Sequence, residues 1–95
     1  MKVRLRKRAR RDLREIWDYS VVQHGEEVAD AYLRDVDAAL ARLADYPELG
    51  TVRADLGADL RSLPVREHRI FYVIYPDRVS VFRVLHKAMD VQRHL

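Results

Sequence analysis

Cysteine is absent from the 95 residues, and glycine and proline contribute only three each. Without thiols neither a disulfide framework nor a thiolate metal site can form, and a reducing compartment suits such a chain. No glycine-rich loop is available to cradle phosphates, and neither a G-x-S-x-G elbow nor an H-E-x-x-H pair occurs. Standard nucleotide-binding, hydrolase and zinc-protease readings lose support accordingly. No apolar run approaches the roughly 18 to 20 residues that span a bilayer. No apolar signal core follows the basic start MKVRLRKRARR, so a cytoplasmic protein without membrane association is expected.

What is present suits a globule: 48% apolar and 35% charged residues. A chain this short supports one modest core, so a single domain over residues 1–95 is expected. The net charge of +3 conceals a segregation. Residues 1–15 carry eight Lys or Arg against two acids, residues 16–60 three against ten, and residues 61–95 seven against three. Were the two basic ends to meet in space, they would form a surface suited to nucleic acid or an acidic protein.

The start, MKVRLR, alternates Val3 and Leu5 against Lys2, Arg4 and Arg6, the period of a half-buried strand. From about Arg8, Ala9, Leu13, Ile16, Trp17 and Val21 fall on one helical stripe. This helix should close at His24-Gly25, since glycine readily takes the left-handed conformation. A second helix opens on Glu26 and Glu27, which favour the positive end of its dipole. Its stripe is Ala29, Tyr32, Leu33, Val36, Leu40 and Leu43, and Pro47 ends it. Residues 47–60 read as loop. A short strand follows at about Leu60 to Val65, with Pro64 arguing for a sheet edge. HRIFYVIY, residues 68–75, has the continuous apolar character of a central strand, and Tyr75-Pro76-Asp77-Arg78 turns the chain into VSVFRVLH. The tail KAMDVQRHL is either a short helix or extended. The order is strand, helix, helix, then three strands: an α+β domain with a mostly antiparallel sheet and an antiparallel helical hairpin packed on one face. Periodicity leaves open whether Ile70, Tyr72 and Ile74 or Phe71, Val73 and Tyr75 face the helices.

Three arginines, Arg61, Arg69 and Arg83, lie on predicted strands, where planar guanidinium groups can converge to bind phosphate or carboxylate. The alternative is pairing at the rim with Glu67, Asp55 or Asp59. His86, Asp90 and His94 are spaced by four and would share a face of a helical tail, where they could bind a divalent metal or form a His and Asp acid–base pair, but no further ligand is near in sequence and no metal is expected. His68 is a second acid–base candidate, at the start of the central strand.

Taken in order, these pieces resemble the RelE/ParE superfamily of bacterial type II toxins, and more closely its ParE branch. The matching residues are Ala9, Asp12 and Leu13 with Ile16 and Tyr19; Gly25 with Ala29 and Tyr32; Pro47 and Gly50; then LRSLPV, HRIFYVIY and RVLHKAMD, the last being most distinctive. The resemblance implies a RelE/ParE-like β-α-α-β-β-β fold and a toxin encoded beside a labile, acidic antitoxin that holds it inactive. For the ParE branch it implies poisoning of DNA gyrase by binding, with no catalysis and no cofactor. Arg61, Arg69, Arg83, His86 and Lys87 are then the expected partner-binding set. The RelE branch instead cuts messenger RNA on the ribosome, a reaction for which Arg69, Arg83 and His86 would be the candidates here. The tail departs from that pattern: no tyrosine follows Tyr75, and Arg61 and Ser62 stand where that branch has lysines. A third implied reading is a degenerate module that only represses its own operon with its antitoxin.

Overall fold

A computed structural model of the chain describes residues 1–57 and 59–95; Ala58, inside the expected loop, lies outside the described residues. Strand β1 spans Lys2–Leu5, helix α1 Lys7–His24 and helix α2 Glu26–Asp45. One glycine makes the turn between the helices. Gly25 sits at φ 88°, its N–H bonds Val21 O at 2.9 Å, and its own carbonyl accepts from Ala29 N. A Cβ there would meet nothing within 4 Å, so backbone conformation and not crowding selects glycine. The buried faces are Ala9 on α1 and Ala29, Val36, Ala39 and Leu43 on α2. Burying a residue such as Val36 or Leu43 is worth about 1.5–3 kcal/mol relative to exposure.

After α2 the chain makes two short 3-10 turns, Pro47–Leu49 and Ala54–Leu56. Between them lies a two-residue strand β2, Thr51–Val52, in the segment expected to be plain loop. Strands β3 (Arg61–Val65), β4 (His68–Tyr75) and β5 (Arg78–His86) follow, and a four-residue helix α3, Val91–His94, ends the chain. The sheet order is β1-β5-β4-β3-β2, antiparallel except for the parallel pair β1 and β5. β4 is central, as expected. β2 pairs only with Arg61 and Ser62, so the half of β3 that carries Pro64 has an open outer side, where a missing N–H costs nothing.

Ile70, Tyr72 and Ile74 join Val79, Val81 and Val84 in the core beneath the helices, which resolves the alternative that periodicity left open. β4 and β5 slip register between Phe71 and Tyr72: Phe71 pairs with Arg83 and Tyr72 with Val81. Phe82 is the extra residue of this bulge, and the bulge keeps both Val81 and Val84 facing inward.

Candidate partner-binding groove

β1 ends at Leu5, opposite Val81, so beyond that point the outer edge of β5 has no strand neighbour. Helix α1 crosses there, and Asp12 takes the strand's place. Its carboxylate accepts the Val84 N–H at 2.9 Å and receives Arg83 Nε and Nη2 at 2.8 and 2.9 Å. Both residues are buried, with 6% and 8% of their surfaces exposed. Arg83 Nη1 also donates to the His94 carbonyl, which ties the C-terminal turn to the sheet. The Asp12 hydrogen bonds push the Arg83 pKa further up. A fork-to-fork pair of this kind is shielded from water and geometrically fixed.

Next to it, Tyr32 of α2 reaches the start of β4. Its hydroxyl accepts the Glu67 N–H at 3.2 Å and lies 2.5 Å from His68 Nδ1. All three groups are satisfied when Tyr32 donates its proton to Nδ1, which places the proton of neutral His68 on Nε2. His86 is the register partner of His68 on β5, its ring edge-on at 5.3 Å. The Ala88 N–H donates to His86 Nδ1 at 3.0 Å, giving the same tautomer. Burial, and then the neighbouring His86, hold the His68 pKa below its ordinary value, while burial raises that of Tyr32. Glu67 forms a 2.6 Å ion pair with Lys87, which lowers the pKa of its carboxyl.

These groups border a groove of about 570 Å³ between α1, α2 and the ends of β4 and β5. Ile16, Tyr19, Val84, Leu85 and Met89 supply most of its apolar wall. Tyr19 stands at its rim with 67% of its surface exposed, and Val22, one turn further along α1, is 80% exposed.

The expected site residues do not converge. Arg83 is buried against Asp12, and Arg61 donates to the carbonyls of Glu48 and Gly50 and so fastens the loop before β2. Arg69 is exposed and makes no ion pair among the described residues. Arg83, His86 and Lys87 of the expected partner-binding set are differently placed. Arg83 is neutralised inside, Lys87 is paired with Glu67, and His86 alone of the three lines the groove without an ionic partner. The rim pairings expected for the arginines also differ: Asp55 pairs with Arg53, and Glu67 with Lys87. His86, Asp90 and His94 share no helix, because His86 ends β5 and Asp90 caps α3 by accepting the Gln92 N–H at 3.1 Å. Among the described residues no group of three His, Asp or Glu side chains is placed to hold a metal.

Two residues that organise the groove were not singled out for chemistry. Asp12 is a polar residue between Ala9 and Leu13 on the apolar stripe, and that position was its available signal. Tyr32 lay on the stripe of α2 and read as core, while its hydroxyl is what joins α2 to β4.

The family model described as ParE toxin of type II toxin-antitoxin system, parDE, matches residues 3–91. Toxin ParE1 of Caulobacter vibrioides is 37% identical over 92 residues, 97% of this chain and 95% of that protein. Toxin ParE1 of Mycobacterium tuberculosis is 35% identical over 88 residues, covering 92% and 90% respectively. The solved chromosomal ParDE TA system from P. aeruginosa contains a chain of the same fold, with TM-score 0.80 and 20% identity over 90% of this chain and 95% of that one. With the fold, the groove and these likenesses in hand, the chain belongs to the ParE toxin family of type II toxin–antitoxin systems.

Proposed function

We propose that this ParE-family toxin acts in the cytoplasm by inhibiting DNA gyrase through binding, and that a cognate antitoxin neutralises it by occupying the groove. The observation that carries this reading is the internal use of the cations. Arg83 is held by Asp12, Arg61 by two loop carbonyls and Lys87 by Glu67. Phosphoryl-transfer chemistry needs positive groups aimed at the developing charge and free to meet it. Here Arg83 and Arg61 hold the fold together and Lys87 sits in a surface ion pair, while the groove offers Ile16, Tyr19, Leu85 and Met89 to an apolar helix face. His86 is left as a polar anchor on its wall.

The cluster of Tyr32, His68 and His86 favours a second reading, proton transfer in messenger RNA cleavage, because a hydrogen-bonded tyrosine and two histidines are suitable acid–base groups. Production of the chain with and without its antitoxin, followed by mapping of messenger RNA ends, separates the two. Growth arrest with no new ends supports binding. New ends that vanish in His68→Gln and His86→Gln support the nuclease.

A further inference from the structure

The opposite face of the sheet, away from the helices, is built differently. Side chains alternate along a strand. Val3 and Leu5 pack toward the helix-side core, so Lys2 and Arg4 project from the other face. Ile70, Tyr72 and Ile74 turn inward, so Arg69, Phe71, Val73 and Tyr75 project outward with them. On this face three guanidinium groups lie over aromatic rings: Arg6 at 3.9 Å from the Phe82 centroid, Arg78 at 4.4 Å from Tyr75 and Arg53 at 5.9 Å from Phe71. A trough of about 1010 Å³ runs past Arg6, Lys7, Leu60, Val73, Tyr75 and Phe82.

Of these cations, Arg53 and Arg78 pair with Asp55 and Asp77. Lys2, Arg4, Arg6, Lys7 and Arg69 make no ion pair among the described residues. The segregation of charge along the sequence has a physical outcome here. Parallel pairing of β1 with β5 brings the basic N-terminus beside the basic C-terminal third.

We propose that this face binds single-stranded DNA. Unpaired, solvated cations flanking the half-buried rings of Tyr75 and Phe82 match a backbone of phosphates carrying stackable bases, while Phe71 is buried beneath them. A guanidinium already seated on a ring presents its second plane to a base. The surface is a sheet bordered at one end of its trough by His94 and Leu95, and with no long helix to enter a major groove among the described residues it suits a splayed single strand better than a duplex. Arg6 is held in place on this face by Ser80 Oγ, which accepts from Nε at 3.0 Å, and by Tyr75 Oη, which accepts from Nη2 at 3.3 Å. The cluster of Tyr32, His68 and His86 lies on the helix side, so capture here does not imply cleavage.

The test is fluorescence anisotropy of a labelled oligothymidylate of about 12 nucleotides, a length within the range such surfaces cover, with the full chain across a salt series. It needs no gyrase and stands independently of the function proposed above. Expected are binding at low salt, a linear fall of log affinity with log salt, and a loss of at least about tenfold in Arg4→Glu/Arg69→Glu. The salt slope of that variant should shrink by about 0.7 for each phosphate contact removed. Lys2→Glu/Arg4→Glu, which changes only the exposed side of β1, gives the same reading should the first variant unfold. The proposal is overturned by undiminished binding in folded variants, by equal affinity for a duplex, by tighter binding of the matching RNA, or by equal displacement with a polyglutamate peptide of the same charge.

Discussion

Asp12 and Arg83 stand 71 positions apart in the chain and meet in a buried two-point ion pair, with the Val84 N–H sharing the same carboxylate. The pair closes the sheet edge that β1 is too short to cover. Removing one partner of a buried pair strands the other, at a cost of about 3–5 kcal/mol. Asp12→Ala is therefore expected to lose about that much stability in urea unfolding, and Arg83→Lys to retain only part of it because the fork is lost. A loss under about 1 kcal/mol for Asp12→Ala would contradict the role given to it, since that is the range of an exposed pair.

Tyr72 and Gly50 give a second expectation. The Tyr72 hydroxyl donates to the Pro47 carbonyl at 2.6 Å and accepts the Gly50 N–H at 2.7 Å, deep under the loop that carries β2. Tyr72→Phe leaves both groups without their partner and should cost about 1–3 kcal/mol. A Cβ on Gly50 would lie 2.5 Å from the Tyr72 hydroxyl oxygen and 3.0 Å from the Ser62 carbonyl oxygen. Gly50→Ala should therefore destabilise by steric overlap, its φ of −75° being ordinary for any residue. Combining it with Tyr72→Phe should recover part of the loss. Thermal melts of the two single variants and the double variant decide this, and simple additivity would contradict the overlap.

These two sites show what the sequence made legible. Strand, hairpin and central strand followed from the alternation of Val3 and Leu5, from Gly25 between two stripes, and from HRIFYVIY, because each depends on local periodicity. The bulge at Phe82, the edge closed by Asp12 and the strand Thr51–Val52 depend on partners far along the chain, and no local pattern records them. Of the expected site, Arg83 and His86 do border the groove. Their state was hidden, because an arginine looks the same in sequence whether it is free or held by an aspartate in another element.

His68 gives the pH dependence. Its folded pKa is held below the ordinary 6.5, first by burial and then by His86, with Glu67 and Asp12 acting in the opposite sense. Below about pH 6.5 the unfolded chain takes up a proton that the folded chain resists, so stability falls as the pH drops. Above that value the contribution is fully present. His68→Gln should flatten this part of the curve. Urea midpoints between about pH 7.5 and pH 5 check it, and parallel curves for the two proteins would contradict it.

The groove carries its own expectation for the antitoxin. Tyr19 is mostly exposed at its rim and makes no side-chain hydrogen bond among the described residues, so Tyr19→Glu should leave the melting temperature nearly unchanged. A carboxylate placed there would oppose an acidic partner and interrupt the apolar wall, and antitoxin affinity should fall by about 1–3 kcal/mol, in the range of an interface anchor. Calorimetric titration of the two purified proteins measures this. Unchanged affinity would place the antitoxin elsewhere.

The most direct test of the central claim is a supercoiling and cleavage assay with purified gyrase and the full chain. Inhibition by binding predicts loss of supercoiling together with accumulation of cleaved DNA, both reversed by prior addition of antitoxin and both retained in His68→Gln/His86→Gln. Gyrase left fully active at high toxin excess would contradict it.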